Sequence, residues 1–183
     1  NTACICAGGN NGSGSVNNNE SWNGTSWTEV AEINTTRERF ASTGSSTAGI
    51  IATGYASSPD AVTVNVELWN GSAWTETTNV NTARSFLGGS GTDSDMIIAG
   101  GSPGLSITEF WNGTSWTEVA DLANGRYLTA SAGDTSSQAI VFGGEGRSQS
   151  TEEFTVPTTF SKINTGQVYY NSGSNAFKVT EQP

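Results

Sequence analysis

The chain has 183 residues, a net charge of -10 and no histidine, and 13% of its residues are charged. This length suits one domain, and the acidic surplus excludes a nucleic-acid surface, while no apolar run approaches the roughly 18 residues that insert into a membrane. Without histidine there is no Ser-His-Asp or Cys-His nucleophile and no His-ligated metal, so we expect no enzyme, no cofactor and no metal site.

Short runs of Thr, Val, Ile and aromatic residues, bounded by Gly, Asn and Ser, predict an all-β fold. The first run, CICAGG, opens the chain in the middle of a repeat, so we expect a processed chain or a segment of a longer polypeptide. Cys4 and Cys6 share one face of this strand, where a disulfide would be strained. Two buried thiols are therefore predicted, with a redox or metal role as the alternative.

Next comes the decapeptide WNGTSWTEVA at 22–31, which returns at 111–120, with WNGSAWTETT at 69–78 between the two copies. Each copy has a second tryptophan five residues after the first. Asn-Gly between two aromatic strands predicts a tight hairpin turn, because these residues tolerate positive φ angles. The tryptophans are predicted to fill the space between neighbouring repeats: Trp22, Trp27, Trp69, Trp74, Trp111 and Trp116.

Each decapeptide is followed by an arginine, a run of small residues and an apolar run that ends in glycine. First tryptophans lie 47 and 42 residues apart, which predicts four strands per repeat and one propeller blade in each. The arginines are predicted to join neighbouring repeats through carbonyls or the repeated glutamates, with an acidic-ligand site as the alternative: Arg37, Arg84 and Arg126 with Glu29, Glu76 and Glu118. The glycine pairs are predicted to permit close backbone approach: Gly100, Gly101, Gly143 and Gly144. Thr53-Gly54 replaces one such pair.

The segments after the glycine pairs differ between repeats, so we expect any binding face there. Their Asn, Ser, Tyr and Asp content suits hydrogen bonding to a sugar or to another protein, although tolerant surface loops are the alternative. These segments are 10–20, 55–67, 102–109 and 145–153, and the candidate ligand-binding residues are Asn18, Tyr55, Asp60, Ser106 and Arg147.

Residues 1–160 hold the repeats, and 161–183 form a C-terminal segment with a predicted hairpin in QVYYNSGSNAFKVT. In the last repeat Phe154 takes the place of the first tryptophan. One hypothesis is that a C-terminal strand completes the first blade and closes a ring of about four four-stranded blades. A larger ring, or a homo-oligomer in which several copies build one ring, is the alternative.

The order of arginine, small strand, Gly-Gly strand and paired aromatics, as in RYLTASAGDTSSQAIVFGG preceded by FWNGTSWTEV, resembles the kelch repeat. WNGTSWTEV with NTAR and the tail TGQVYYNSGSNAFKVTEQP look like kelch-like proteins of marine bacteriophages, especially cyanophages. That resemblance implies a kelch β-propeller in the virion, a tail-fibre module that attaches to a host-surface receptor or glycan and contacts other virion proteins. A non-viral protein-interaction propeller and a glycan-active enzyme are the alternatives.

Overall fold

The structure is a computed structural model that describes residues 3–145, 150–154, 168–171 and 176–179. Apart from one 3-10 turn at Ser136–Gln138, the regular structure in these residues is β. In this described part, no helix has the length and apolar character needed to cross a membrane. The strands are β1 Cys4–Ala7, β2 Asn19–Trp22, β3 Trp27–Glu29, β4 Ala41–Gly44, β5 Gly49–Ala52, β6 Tyr55–Ser57, β7 Asp60–Val62, β8 Val66–Trp69, β9 Trp74–Thr77, β10 Gly88–Gly91, β11 Met96–Ala99, β12 Thr108–Trp111, β13 Trp116–Glu118, β14 Thr129–Ala132, β15 Ala139–Gly143, β16 Thr151–Phe154, β17 Val168–Asn171 and β18 Ala176–Val179.

Four antiparallel sheets follow one another along the chain. Sheet I has the strand order β1-β2-β3, sheet II β4-β5-β8-β9, sheet III β10-β11-β12-β13 and sheet IV β14-β15-β16. Strands β6 and β7 form a separate pair, as do β17 and β18. The all-β prediction is confirmed. Sheets II and III have four strands each, and their bounds match the predicted order from the arginine to the second tryptophan.

The turn between paired tryptophans uses its asparagine and its glycine in different ways. Gly71 has a φ of 93°, which is the conformation that glycine was expected to supply. Asn70 instead contributes its side chain, since its Oδ1 accepts hydrogen bonds from the backbone N–H groups of Ser72 and Ala73 at 2.9 Å each. The predicted hairpin is therefore confirmed, with the asparagine acting as an acceptor that closes the turn.

Tryptophan pairs of sheets II and III pack against the preceding sheet. Trp69 and Trp74 lie in one apolar cluster with Ile33, which follows sheet I, and Trp111 and Trp116 lie in a second cluster with residues of sheet II. All four indoles are buried. The predicted packing between repeats is confirmed for these two pairs.

The tryptophan pair of sheet I is different. Trp27 is 48% exposed and Trp22 is half-buried. Among the described residues no sheet precedes sheet I, so the face that carries this pair has no neighbour to cover it. Packing between repeats is therefore not observed for Trp22 and Trp27.

The repeated arginines bind glutamates of their own sheets, and the partner glutamates differ from the predicted ones. Each partner lies two residues before the first aromatic of the decapeptide, and the pairs are Arg37 with Glu67, Arg84 with Glu109 and Arg126 with Glu152. The predicted partners, Glu29, Glu76 and Glu118, lie on exposed outer strands. Arg37 also donates to the carbonyls of Thr53 at 3.2 Å and Asn65 at 2.7 Å. Both carbonyls belong to its own repeat, so these contacts do not join neighbouring repeats as predicted. Burial lowers the pKa of Arg37, and the charge of Glu67 opposes that shift.

Consecutive sheets are joined instead by the arginine backbone. The second residue of each glycine pair donates its N–H to the carbonyl of the next repeated arginine, joining Gly9 to Arg37, Gly54 to Arg84 and Gly101 to Arg126 at 2.8, 3.1 and 2.8 Å. The approach is close, because a Cβ on Gly100 would lie 2.6 Å from the Arg126 carbonyl oxygen. Thr53 occupies the position equivalent to Gly100 at a φ of 59°, and its hydroxyl donates to the Arg84 carbonyl.

The prediction of two buried thiols is wrong. Cys4 is half-buried and Cys6 is exposed, and both are free. The residues at the position of Cys6 in the other sheets, Ile51, Ile98 and Val141, are at most 2% exposed. The strands that carry those residues each pair with a first strand and follow a preceding sheet. Among the described residues, the strand of Cys6 has neither neighbour.

The C-terminal strands β17 and β18 pair with each other, as the sequence predicted for this segment. Among the described strands, β1 pairs with β2 and with no other strand. The structure thus describes a succession of antiparallel sheets, and the pairing between a C-terminal strand and β1 that self-closure requires is not present in the described residues.

Candidate functional site

The segment after β5 brings together two of the five residues predicted to bind a ligand. The hydroxyl of Tyr55 donates to Oδ1 of Asp60 at 2.5 Å across the β6–β7 pair. This hydrogen bond raises the pKa of Tyr55, and burial and the charge of Asp60 shift it in the same direction. Asp60 is exposed, so one polar cluster faces solvent at this position.

The other predicted residues do not join this cluster. Exposed Asn18 donates through Nδ2 to Oε1 of Glu29 at 3.1 Å. Ser106 donates to Oδ2 of Asp121 at 3.3 Å. Both contacts tie the loop to the outer strand of its own sheet or to the residues after it, and Arg147 lies outside the described residues.

A different set of residues forms a continuous surface between the sheets. Arg39, Phe86 and Leu128 each lie two positions after a repeated arginine, and their φ angles are 59°, 57° and 58°. The N–H of Phe86 donates to the Arg39 carbonyl at 2.9 Å, and the N–H of Leu128 donates to the Phe86 carbonyl at 2.8 Å. We call these three residues the left-handed row. The row runs across sheets II, III and IV.

Bulky side chains are unexpected in that conformation. A positive φ strains every residue with a Cβ, and glycine or asparagine would normally occupy such positions. Leu128 is nevertheless 53% exposed, and the side chain of Arg39 is 39% exposed. Their burial therefore gives only part of the stabilisation that would offset the strain, and strained bulky residues of this kind cluster at functional sites.

Two tyrosines extend the row into a stack. The guanidinium carbon of Arg39 lies 5.0 Å from the ring centroid of Tyr55 and 4.7 Å from that of Phe86. The Phe86 ring meets the Tyr127 ring edge-on, with 6.4 Å between centroids. Cation–π contacts at exposed sites are worth about 0.5 to 1 kcal/mol each. They hold the four side chains in one orientation, and we call this set the aromatic–arginine stack.

Carboxylates lie beside the stack. Glu38 contacts Arg39 through Oε2 at 3.4 Å and accepts from Nδ2 of Asn10 at 3.0 Å. At the far end, a hydrogen bond to Glu145 raises the pKa of Tyr127, with burial acting in the same direction. The surface therefore offers ring faces, a cation and hydrogen-bond acceptors within one strip.

This arrangement of ring faces, a cation and carboxylates is suited to binding a ligand. Within the described ranges no three Cys, Asp or Glu side chains come close enough to hold a metal ion. The hydrogen bonds to Asp60 and Glu145 raise the pKa of the Tyr55 and Tyr127 phenols.

The sequence identified Tyr55 and missed the rest of the stack. Sequence reasoning placed specificity in the segments after the glycine pairs. The other stack residues lie instead in the segments between each repeated arginine and the first strand of its sheet: Arg39, Phe86 and Tyr127. A signal was available, because two residues after each invariant arginine the chain has Arg, Phe and Leu in turn. A residue that differs between repeats at a fixed distance from a repeated arginine would have identified this position.

No protein-family model matches the chain, and no curated protein matches it.

Proposed function

We propose that the chain is a non-enzymatic, kelch-like β-propeller module of a phage virion appendage, such as a tail fibre, and that it attaches to a host-surface receptor or glycan. Support for the ring comes from four successive sheets, the first three joined to the next by the same bond from a glycine N–H to an arginine carbonyl. Support for the viral origin is the resemblance of the repeated WNGTSWTEV and the C-terminal tail to marine phage proteins.

The observation that carries the binding function is the left-handed row. Buried tryptophan pairs repeat in sheets II and III and buried arginines in sheets II, III and IV, as a scaffold requires. The row instead presents a different side chain from each of these three sheets, with Arg39 and Leu128 exposed and Phe86 half-buried. Differences at equivalent positions are what a recognition surface needs.

The chemistry of the aromatic–arginine stack fits a polar ligand with apolar faces. Ring faces cover apolar carbon, while Arg39 and the carboxylates of Glu38 and Asp60 provide a donor and acceptors at the edge. Tyrosine and arginine are also enriched at protein interfaces, which keeps a protein partner as the second candidate.

The test is binding of the fluorescently labelled chain to marine cyanobacterial cells and to a glycan array. Phe86→Gly is the informative variant, because glycine suits the backbone at this φ and the ring lies at the centre of the stack. Loss of a central contact of this kind costs 2 kcal/mol or more, so we expect binding to weaken about thirtyfold.

Trp27→Ala is the matched control, since it removes an exposed aromatic side chain from sheet I, outside the stack. Cell binding that Phe86→Gly abolishes and Trp27→Ala retains supports the proposal. Capture of one soluble protein with no binding to cells or glycans would favour the protein-interaction module. Turnover of any glycan on the array would contradict a non-enzymatic role.

A further inference from the structure

The free edge of β1 borders a groove between sheets I and II. This groove has a volume of about 520 Å³, and β1 forms one wall while β4 and the start of β5 form the other. Ser42 and Gly44 line it and are exposed, whereas the alternate residue Thr43 turns to sheet III and donates to the Gly91 carbonyl at 2.5 Å. The groove therefore has two strand walls, and along β1 it has a row of backbone groups that no described strand pairs with.

In the other three sheets this position is filled by the first strand. These strands have the sequences ASTG, GGSG and TASA, and each pairs with the strand equivalent to β1. Small residues are required because neighbouring first strands lie close together, and a Cβ on Gly89 would lie 2.7 Å from the Cβ of Ala41. A strand that enters the groove must accordingly be built from small residues.

A carboxylate on β2, opposite Cys6 of β1, also lacks among the described residues the partner that its equivalents have. Glu20 lies two residues before Trp22, as Glu67 does before Trp69 and Glu109 before Trp111. Glu67 and Glu109 are fully buried against a repeated arginine, whereas Glu20 is exposed and forms no ion pair within the described residues.

The equivalents of Glu20 show which groups it is built to receive. Glu109 accepts from the backbone N–H and the side-chain Nδ2 of Asn81, each at 2.8 Å, from the N–H of Thr82 at 3.3 Å, and from Arg84. Glu67 has the same three kinds of partner in Asn34, Thr35 and Arg37. In both cases the donors belong to Asn-Thr-x-Arg, and the first strand starts four residues after the arginine.

Carbonyls for the guanidinium are in place as well. Arg37 donates to the carbonyls of Thr53 and Asn65, and the equivalent residues of sheet I are Gly8 and Asn18. The N–H of Gly8 donates to the Asn18 carbonyl at 2.8 Å, as the N–H of Thr53 does to Asn65 at 3.0 Å. Sheet I thus preserves the backbone arrangement that holds an arginine in sheet II.

We propose that the free edge of sheet I binds an extended segment of the pattern Asn-Thr-x-Arg-x-x-x followed by four small residues. The segment adds an antiparallel strand to β1 and places its asparagine and arginine on Glu20. This inference does not depend on the proposed attachment function.

The test is a titration of the intact chain with a synthetic peptide of residues 81–92, NTARSFLGGSGT, measured by isothermal titration calorimetry. Glu20→Gln in the protein and glutamine for arginine in the peptide are combined in a double-mutant cycle. Each single change should weaken binding about tenfold, because both break the same charge-assisted contact. The second change should then add little to the first.

Two further measurements complete the design. Glu29→Gln is the matched control, since Glu29 is exposed and lies directly opposite Glu20 in the β2–β3 pair, and it should leave the affinity unchanged. Cys6 lines the groove, so its alkylation should slow about tenfold at a peptide concentration ten times the Kd. Absence of binding, an equal effect of Glu29→Gln, additive single changes, or protection of Cys6 before peptide is added would each overturn the proposal.

Discussion

Replacement of Trp116 by alanine tests whether the repeated tryptophans are scaffold. The side chain is 7% exposed, and its ring lies 5.3 Å from that of Trp111 between centroids. Its Nε1–H donates to the Thr78 carbonyl at 3.1 Å, which ties sheet III to the end of sheet II. Truncation of a buried aromatic residue to alanine costs about 3 to 5 kcal/mol, so Trp116→Ala should lower the free energy of unfolding by that amount.

Trp27 provides an internal control, because it occupies the same position of an identical decapeptide and is 48% exposed. Trp27→Ala should cost about 1 kcal/mol or less, since little apolar area leaves a buried environment. Equilibrium urea unfolding followed by far-UV circular dichroism measures both variants without relying on tryptophan emission. Equal losses for the two variants would refute the reasoning that burial between sheets gives the repeated indole its structural role.

The remaining predictions address the buried ion pairs, the free edge and the titrating tyrosine. Glu67→Gln should cost about 3 to 5 kcal/mol in urea unfolding, because it leaves a buried guanidinium without its counter-charge, whereas Glu76→Gln should cost less than about 1 kcal/mol; similar losses would refute the assigned pairing. In the native chain, Cys6 should react with iodoacetamide faster than the half-buried Cys4, as mass spectrometry of the alkylated peptides would show. Equally slow reaction of both thiols would contradict the exposed edge. The bond from Tyr55 to Asp60 raises the tyrosine pKa above its ordinary 10.0, so the folded state holds this proton longer than the unfolded state. This contribution to the free energy of unfolding is complete below pH 10 and is lost as the pH rises through the raised pKa. The free energy of unfolding in urea, measured between pH 8 and 11, should therefore fall less with pH in Tyr55→Phe than in the wild-type chain. The same pH dependence in both proteins would contradict this.

Much of the fold could be predicted from the sequence because its signals are local. The Asn-Gly turn, the alternation of apolar runs with glycine pairs and the constant spacing of tryptophans each act over a few residues. Repetition then fixed the register, so the end of β8 at Trp69 and the start of β9 at Trp74 follow from the two tryptophans. These local rules hold wherever neighbouring sheets supply the expected surroundings.

The errors arise where tertiary neighbours decide. Cys6 has the local sequence of a buried strand residue, and it is exposed because the described residues provide no strand beside β1. Two glutamates of sheet II, Glu67 and Glu76, were both within reach of an arginine by sequence alone. The fold buries the first on a central strand and exposes the second on an outer strand.

The candidate site was only partly predictable for the same reason. Tyr55 and Asp60 are close in sequence and appeared as one polar segment, whereas the stack joins Arg39 of one sheet to Phe86 of the next. A positive φ at a bulky residue leaves no trace in composition, so the left-handed row became visible only in the backbone. The contact between sheets, and not any local motif, assembles this surface.

The central claim is that repeated residues hold the fold while the side chains of the left-handed row do not. It is tested most directly by the free energy of unfolding of the triple variant Arg39→Gly, Phe86→Gly and Leu128→Gly, measured in urea. Glycine favours the φ angles of 57° to 59° found there, and relief of strain of about 1 kcal/mol per residue offsets the lost contacts and the greater entropy of the unfolded chain. The account predicts a value within about 1 kcal/mol of the wild-type chain. A loss of about 3 kcal/mol or more, as expected for removal of core side chains, would contradict it.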